Sequence, residues 1–364
     1  MEVKDFLVRL CESAHVSGYE GMNEGVSMGA GESMCVGEGT DIVVRAFSEY
    51  LQDVAVDKFG NVIGVKKGGG KGKLMLAAHM DEIGLMVADV DSRGFVRFTT
   101  LGGFDARVFP ALEVVIHGRE DVYGVIGVKP PHILPPDEAN KAFKAEDLLI
   151  DTGYGRDKLL SLIGVGDIIT IRSKAAGLKN GCMSVKSLDD SAGVAVLYSA
   201  MKRLWRCGHD LDVYFVATVQ EEIGARGAAT SAWSIAPDIA IAVDVGFGKT
   251  PEVDEIDAFE LGKGPTIAIG PAIHPAVYEA LIKAAKDANL KYQVDVLPKD
   301  TGTDTDLMQI SGKGVATGVV SIPLKYMHTP VETVKLDDID QAGRLLAEFV
   351  RAFDGVELEG ALCL

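Results

Sequence analysis

The sequence predicts an α/β fold in which a mixed sheet is covered by helices and interrupted by a small β-rich unit. Toward both ends of the chain, apolar strand-like runs alternate with helix-like segments, which is typical of α/β domains. Between residues 87 and 171 this alternation gives way to short runs separated by glycine and proline. We therefore expect an α/β domain over residues 1–86 and 172–364, with an inserted β-rich unit over 87–171.

The first segment of the α/β domain contains two predicted helices, a hairpin and a strand. Apolar residues recur at helical spacing over 2–14, and Asp41 can cap a second helix that ends near Leu51. Residues 21–39 are rich in Gly, Ser, Glu and Met without periodicity, so we interpret them as a mobile loop. The next elements are a hairpin over 54–65 and a buried strand over 74–78.

After residue 173 the alternation of strands and helices returns. The run 213–219 is rich in β-branched and aromatic residues, a pattern typical of a strand buried on both faces. Further strands are expected at 184–188, 239–243 and 315–324, and helices at about 191–205, 275–288 and 337–353. Within the inserted unit, the strand-like runs are 95–99, 112–116, 122–128 and 168–171.

Composition narrows the class of protein. The net charge of −17 argues against nucleic acid or an anionic membrane as the main partner. The five cysteines are scattered and form no Cys-x-x-Cys pair, which favours reduced thiols in a cytoplasmic protein. We find no apolar signal segment at the amino terminus and no uncharged apolar run long enough to span a bilayer.

Residues able to bind metal follow or end five of the strand-like segments. These residues are His79, Asp189, Glu222, Asp244 and His328. Taken singly, each has an ordinary structural explanation, such as a helix cap, a turn residue or a hydrogen-bonded core histidine. Ligands of α/β sheets bind at the carboxyl ends of the strands, so five such residues on one edge favour a shared site.

The types of these side chains indicate the metal and its chemistry. Carboxylate and imidazole ligands without thiolate suit zinc, cobalt or manganese. If one carboxylate bridges, five ligands suffice for two ions, an arrangement that activates water for hydrolysis. Such a site also needs a general base, and Glu221, next to Glu222, is an available acidic residue.

Several motifs resemble the TET-type aminopeptidases, the glutamyl and deblocking aminopeptidase group of di-metal peptidases in family M42. The motifs are HMDEIG at 79–84, LDDSAG at 188–193, QEEIGARGA at 220–228, DVG at 244–246 and YMHTPVE at 326–332. The similarity also includes SGYE at 17–20, GGFD at 102–105, GVKPPHIL at 127–134 and GTD at 302–304. It therefore extends over nearly the whole chain.

The resemblance implies a role for each candidate residue. Asp189 would bridge the two metal ions and be joined to Asp190 by a cis peptide bond. One ion would be completed by His79 and Asp244, and the other by Glu222 and His328. Glu221 would be the general base and proton shuttle, and Asp81 would hold the His79 ring through its other nitrogen.

The resemblance also implies a fold, a substrate and an assembly. The expected fold is a phosphorylase/hydrolase-like α/β catalytic domain interrupted by a PDZ-like β domain, which would mediate dimerisation. The expected substrates are short peptides with a free amino terminus, hydrolysed with two zinc or cobalt ions, or manganese, per subunit. Dimers of the family assemble into tetrahedral dodecamers, so we expect self-assembly.

Three alternatives remain at this stage. A related di-metal carboxypeptidase or N-acyl amino acid deacylase would use the same ligands but would need a cation for the substrate carboxylate, and Arg226 is the nearest candidate in the sequence. A glycosidase would use paired carboxylates on opposite sides of a bond, which adjacent residues such as Glu221 and Glu222 do not provide. A scaffold protein without activity would have no use for a complete ligand set.

Overall fold

The computed structural model describes residues 1–20, 37–69, 72–133, 144–251, 253 and 258–352. The α-helices are α1 (Val3–Glu12), α2 (Glu38–Ser48), α3 (Arg156–Leu160), α4 (Leu188–Leu204), α5 (Arg226–Ile235), α6 (Pro275–Asp287), α7 (Thr305–Gln309) and α8 (Leu336–Ala352). Short 3-10 helices lie at Ala106–Val108, Pro131–Ile133, Ala145–Asp147 and Lys179–Gly181.

The strands fall into three groups along the chain. The first comprises β1 (Asp53–Val56), β2 (Val62–Lys66) and β3 (Lys73–His79). The second comprises β4 (Gly84–Val90), β5 (Val96–Leu101), β6 (Glu113–His117), β7 (Asp121–Gly127), β8 (Leu149–Asp151) and β9 (Ile168–Ile171). The third comprises β10 (Ala176–Gly177), β11 (Cys182–Ser184), β12 (Asp212–Thr218), β13 (Ile239–Phe247), β14 (Thr266–Ile269), β15 (Gln293–Val296), β16 (Ala316–Lys325) and β17 (Thr333–Lys335).

The first and third groups form one mixed sheet. Its strand order is β1-β2-β12-β3-β13-β16-β17-β11-β10, and β14 and β15 extend from β16. The four central strands β12, β3, β13 and β16 are mutually parallel, whereas β2 and β17 join them antiparallel. Because parallel strands point the same way, their carboxyl ends meet at one edge of the sheet.

Helices cover both faces of this sheet, because successive apolar side chains of a strand point to opposite faces and both must be buried. In β3, Leu74, Leu76 and Ala78 pack into the core that α1, α2, α4, α6 and α8 share. Met75 and Ala77 of the same strand point to the opposite face, where α5 and α7 cover them. The sheet is therefore buried on both sides, which explains the almost continuous apolar runs of its central strands.

The second group of strands forms a small closed barrel with the order β4-β5-β8-β7-β6-β9. It has its own core, with fully buried side chains such as Val87, Phe109 and Ile150. Along the chain, the barrel begins with β4, just after β3 of the large sheet, and ends with β9 at Ile171, so it interrupts the α/β fold. The expected fold class, a helix-covered mixed sheet with a small β unit inside it, is confirmed.

The structure corrects three local predictions. The strand expected at 184–188 ends at Ser184, because Ser187 has a left-handed backbone (φ +59°) and α4 begins at Leu188. The strand expected at 239–243 continues through Asp244 to Phe247. Residues 21–36 of the predicted loop lie outside the described residues, and Glu38 and Gly39 belong to α2. None of the described helices has the length and apolar composition that a membrane crossing requires.

Candidate metal centre

The five candidate ligands meet at the carboxyl edge of the parallel strands. Asp189 lies at their centre, with each carboxylate oxygen facing a different histidine: Oδ1 is 3.1 Å from His79 Nε2, and Oδ2 is 3.3 Å from His328 Nε2. Glu222 Oε1 lies 3.2 Å from His328 Nε2, and Asp244 Oδ1 lies 4.0 Å from His79 Nε2. The structure thus brings together all five residues that the sequence singled out.

The backbone at the start of α4 places Asp189 between the two histidines. Ser187 is left-handed, Asp189 and Asp190 depart from helical geometry, and the peptide bond between these two aspartates is cis. Asp190 turns inward, where its Oδ1 accepts a hydrogen bond from the Gly193 amide and its Oδ2 has no hydrogen-bond partner among the described residues. Two neighbouring carboxylates are therefore buried side by side.

The donor set fits divalent cations. Ligand atoms of His79, Asp189 and Glu222 lie within 4.8 Å of one another, and so do those of His79, Asp190 and Asp244. Burial, together with repulsion from neighbouring carboxylates, raises the pKa values of Asp190 and Asp244 well above the usual range for aspartate. Buried carboxylates in this number need compensating positive charge, and two histidines supply too little of it. Divalent cations would supply the missing charge.

Asp81 contacts both the His79 ring and the end of β12. Its carboxylate accepts hydrogen bonds from the amides of Glu221 (3.0 Å) and Glu222 (3.2 Å). The nearest contact of His79 Nδ1 is the backbone carbonyl of Asp81 at 3.1 Å, with Asp81 Oδ1 at 3.6 Å. This nitrogen thus faces Asp81, whose carbonyl is nearer to it than the carboxylate. Nε2 thereby stays directed at the ligand cluster.

Glu221 lies beside the ligands and is partly exposed. Burial is the largest influence on its carboxyl and, together with the negative charges of Asp244, Asp304 and Glu222, raises its pKa to about 9. Its side chain is therefore suited to hold a proton at this edge of the sheet.

Glu332 is a residue that sequence reasoning missed. It is almost fully buried, and its two carboxylate oxygens accept hydrogen bonds from the amides of Asp189 (3.1 Å) and His328 (2.8 Å). One side chain thus holds the backbone of two candidate ligands. The available signal was its position in the YMHTPVE motif, four residues after His328.

A second missed feature is a buried ion pair beside the centre. Lys186 Nζ lies 2.5 Å from Glu82 Oε2, and both side chains are almost fully buried. The pair lines a narrow cleft together with Asp189, Glu222 and His328. Apolar walls of the same cleft come from Ile83, Phe104 and Ile171. Phe104 follows β5, so the barrel contributes to the surroundings of the centre.

A doubly covered α/β sheet with a histidine–carboxylate cluster at its carboxyl edge defines the chain as a metal-dependent hydrolase. Its similarity to known proteins identifies the group. The family model for M42 glutamyl aminopeptidase matches residues 60–345. The chain belongs to this family.

Individual relatives align with this chain over nearly their full length. A lysyl aminopeptidase of Pyrococcus furiosus is 35% identical over 346 residues, which is 94% of each chain. The structure of a TET aminopeptidase from a marine sediment Thaumarchaeota archaeon superposes with a TM-score of 0.90 at 31% identity, covering 99% of this chain and 98% of the other. The TET1 peptidase of Pyrococcus horikoshii, which can assemble into a tetrahedron or a large octahedral shell, gives a TM-score of 0.81 at 27% identity, with 96% and 99% coverage.

Proposed function

We propose that this metal-dependent aminopeptidase removes amino-terminal residues from short peptides with the help of two divalent ions, zinc or cobalt, with manganese as a further possibility. The observation that carries the proposal is the central position of Asp189, whose two oxygens face two different histidines. A carboxylate in that position suits a ligand shared between two ions. When bound, such ions lower the pKa of water and polarise the scissile carbonyl.

The proposed ligand sets follow the contacts around Asp189. His79 and Asp244 would hold one ion with Asp189, because the His79 ring faces both carboxylates. Glu222 and His328 would hold the other, because His328 Nε2 lies within 3.3 Å of both Asp189 and Glu222. Asp81 would keep the His79 ring in its ligating orientation.

Glu221 would be the general base. It is not needed as a ligand in the proposed sets, and it directly precedes the proposed ligand Glu222 on the turn after β12, where a carboxylate can take part in proton transfer. It would take a proton from the attacking water and return it to the amine of the leaving peptide. Its partial exposure would leave it within reach of a bound substrate.

The test compares Glu221→Gln with Glu222→Gln in protein loaded with zinc or cobalt. Losing the general base should lower kcat by about 10²–10⁴-fold on aminoacyl substrates while both ions stay bound. Losing a ligand should instead lower metal content, measured by mass spectrometry of the metal. Near-full turnover of Glu221→Gln would refute its role. Hydrolysis of N-acyl amino acids, with no release from free amino termini, would favour the deacylase or carboxypeptidase alternative.

We extend the proposal to domains, assembly and location. The catalytic domain would comprise residues 1–86 and 172–364, and the inserted unit 87–171 would mediate dimerisation. Tyr123 and Val125 support this role, because both are largely exposed on the barrel surface. The assembling TET1 relative supports further growth to a tetrahedral dodecamer. Mass photometry of the purified protein tests the assembly.

The free thiols of Cys11, Cys182 and Cys207 support a cytoplasmic location.

A further inference from the structure

The turn after β12 presents Glu221 and Glu222, and its backbone amides are held by buried side chains from other parts of the chain. The amides of residues 221 and 222 donate to the two oxygens of Asp81. The amide of Gln220, directly before them, donates to Glu20 Oε1 at 3.0 Å. Glu20 and Asp81 thus receive three successive amides.

This turn has a backbone that needs such support. Gln220 has a φ of +59°, in the left-handed region, which is unfavourable for a residue other than glycine. An amide left without an acceptor at this partly buried position would destabilise the turn further. The hydrogen bond to Glu20 therefore stabilises the backbone conformation of the turn that carries Glu221.

Glu20 is itself fixed in place. Its side chain is buried, with only 3% of the residue exposed, and its carbonyl accepts a hydrogen bond from Thr40 Oγ1 at 2.7 Å. The segment before Glu20 is hydrogen-bonded to the loop that follows β3, because the Ser17 amide donates to the Glu82 carbonyl at 3.0 Å. Glu20 therefore connects the amino-terminal segment to the turn that carries the proposed general base.

We propose that Glu20 is a positioning residue for the hydrolytic reaction, acting through the Gln220 amide on the orientation of Glu221. The inference rests on the proposed function of Glu221. It assigns a role to the last residue of the SGYE motif, which makes none of the candidate ligand contacts described above. Burial and the nearby Asp81 charge raise the pKa of Glu20 to about 8, so a neutral acceptor of the same shape should serve equally well.

The experiment uses full-length, metal-loaded Glu20→Gln and Glu20→Met. Glutamine keeps an oxygen for the Gln220 amide, whereas methionine has a similar shape without a comparable acceptor. We expect Glu20→Met to lower kcat by about 10–100-fold with KM and metal content within about twofold of wild type, as expected when an interaction made only in the transition state is lost. Glu20→Gln should stay within about threefold of wild-type kcat.

A second readout is independent of turnover. Hydrogen exchange of a peptide spanning 214–228 should accelerate in Glu20→Met and stay slow in Glu20→Gln, because only the former frees the Gln220 amide. Ser231→Ala, which removes a buried hydrogen bond to Gly227 in the adjacent helix α5, controls for a general loss of stability.

Any of three results would overturn the inference. Glu20→Met could keep the wild-type kcat, Glu20→Gln could lose as much kcat as Glu20→Met, or the fall in kcat could be accounted for by a lower metal content. If Glu20→Met does not fold, Glu20→Asp takes its place, because it draws the carboxyl back from the Gln220 amide by one methylene. Its kcat should fall at least fivefold, and an unchanged kcat would refute the role. An inactive wild-type protein would instead refute the proposed function, and the exchange experiment would still decide whether Glu20 holds the turn.

Discussion

The buried ion pair between Lys186 and Glu82 provides a test of how the metal centre is supported. All three protons of the Lys186 ammonium have acceptors: Glu82 Oε2, the Ser13 carbonyl at 3.1 Å and Ser187 Oγ at 3.1 Å. Lys186→Met would remove the cation and leave the Glu82 carboxylate buried without it. Because Lys186 is only three residues before Asp189, the disturbance should reach the proposed bridging ligand.

The expected magnitude follows from burial. Breaking a buried pair by removing one partner costs about 3–5 kcal/mol, because the remaining charge is left uncompensated. Lys174 and Glu12 form a matched pair at the surface, with the nitrogen and oxygen 2.6 Å apart and the lysine side chain 77% exposed. Water and salt screen that pair, so Lys174→Met should cost less than about 1 kcal/mol.

Thermal unfolding followed by circular dichroism measures both variants at one protein and metal concentration. We expect Lys186→Met to lower Tm by about 5–15 °C and Lys174→Met by less than about 3 °C. A double replacement, Glu82→Leu with Lys186→Met, should recover part of the loss because no buried charge then remains unpaired. Equal shifts in the two single variants would refute the reasoning, since burial would then make no difference.

Three further predictions concern the metal ions and the residues that support them. Removing the ions with a chelator should lower Tm. Adding metal back at about 100 times its Kd should raise the free energy of unfolding by about 2.7 kcal/mol per site, as measured by thermal unfolding. Asp189→Ala should reduce bound metal from about two ions to fewer than one, whereas Asp244→Ala should lose about one, as measured by metal analysis, because only Asp189 is proposed to serve both. Glu332→Leu should weaken metal affinity by about 10–100-fold in a competition titration, since Glu332 holds the backbone of Asp189 and His328.

The sequence predicted the parts of the site that leave a local signal. His79 and Asp244 lie in or at the end of apolar runs that form the central strands, so their place at one edge follows from the α/β pattern. The helices α1, α2, α4, α6 and α8 were also predicted to within a few residues, because their apolar residues recur at helical spacing, whereas α3, α5 and α7 were not predicted from the sequence.

The supporting residues could not be predicted, because their partners are distant in the sequence. Lys186 pairs with Glu82 across 104 residues, and Glu20 meets Gln220 across 200. Neither contact repeats along the chain, so no periodic pattern reveals it. Closure of the barrel is a similar case, since alternating short strands are equally typical of an open sandwich.

Gly102 and Gly103 bring the barrel up to the metal centre, and Gly102→Ala tests whether that approach matters for activity. Gly102 has a φ of +84°, and a Cβ added there would lie 2.5 Å from Ile83 Cγ2 and 3.5 Å from Glu222 Cβ. Gly153, in the same barrel, has a similar φ of +73° but nothing within 4 Å of an added Cβ.

Both alanine variants should lose about 1–2 kcal/mol of stability, because alanine is strained in the left-handed region. Only Gly102→Ala should lower kcat/KM, because Ile83 must move and it lines the cleft beside Glu222. The measurement is Tm and kcat/KM of the two variants loaded with the same metal. Equal kcat/KM values would mean that the cleft tolerates the displacement and that the close approach at Gly102 does not matter for activity.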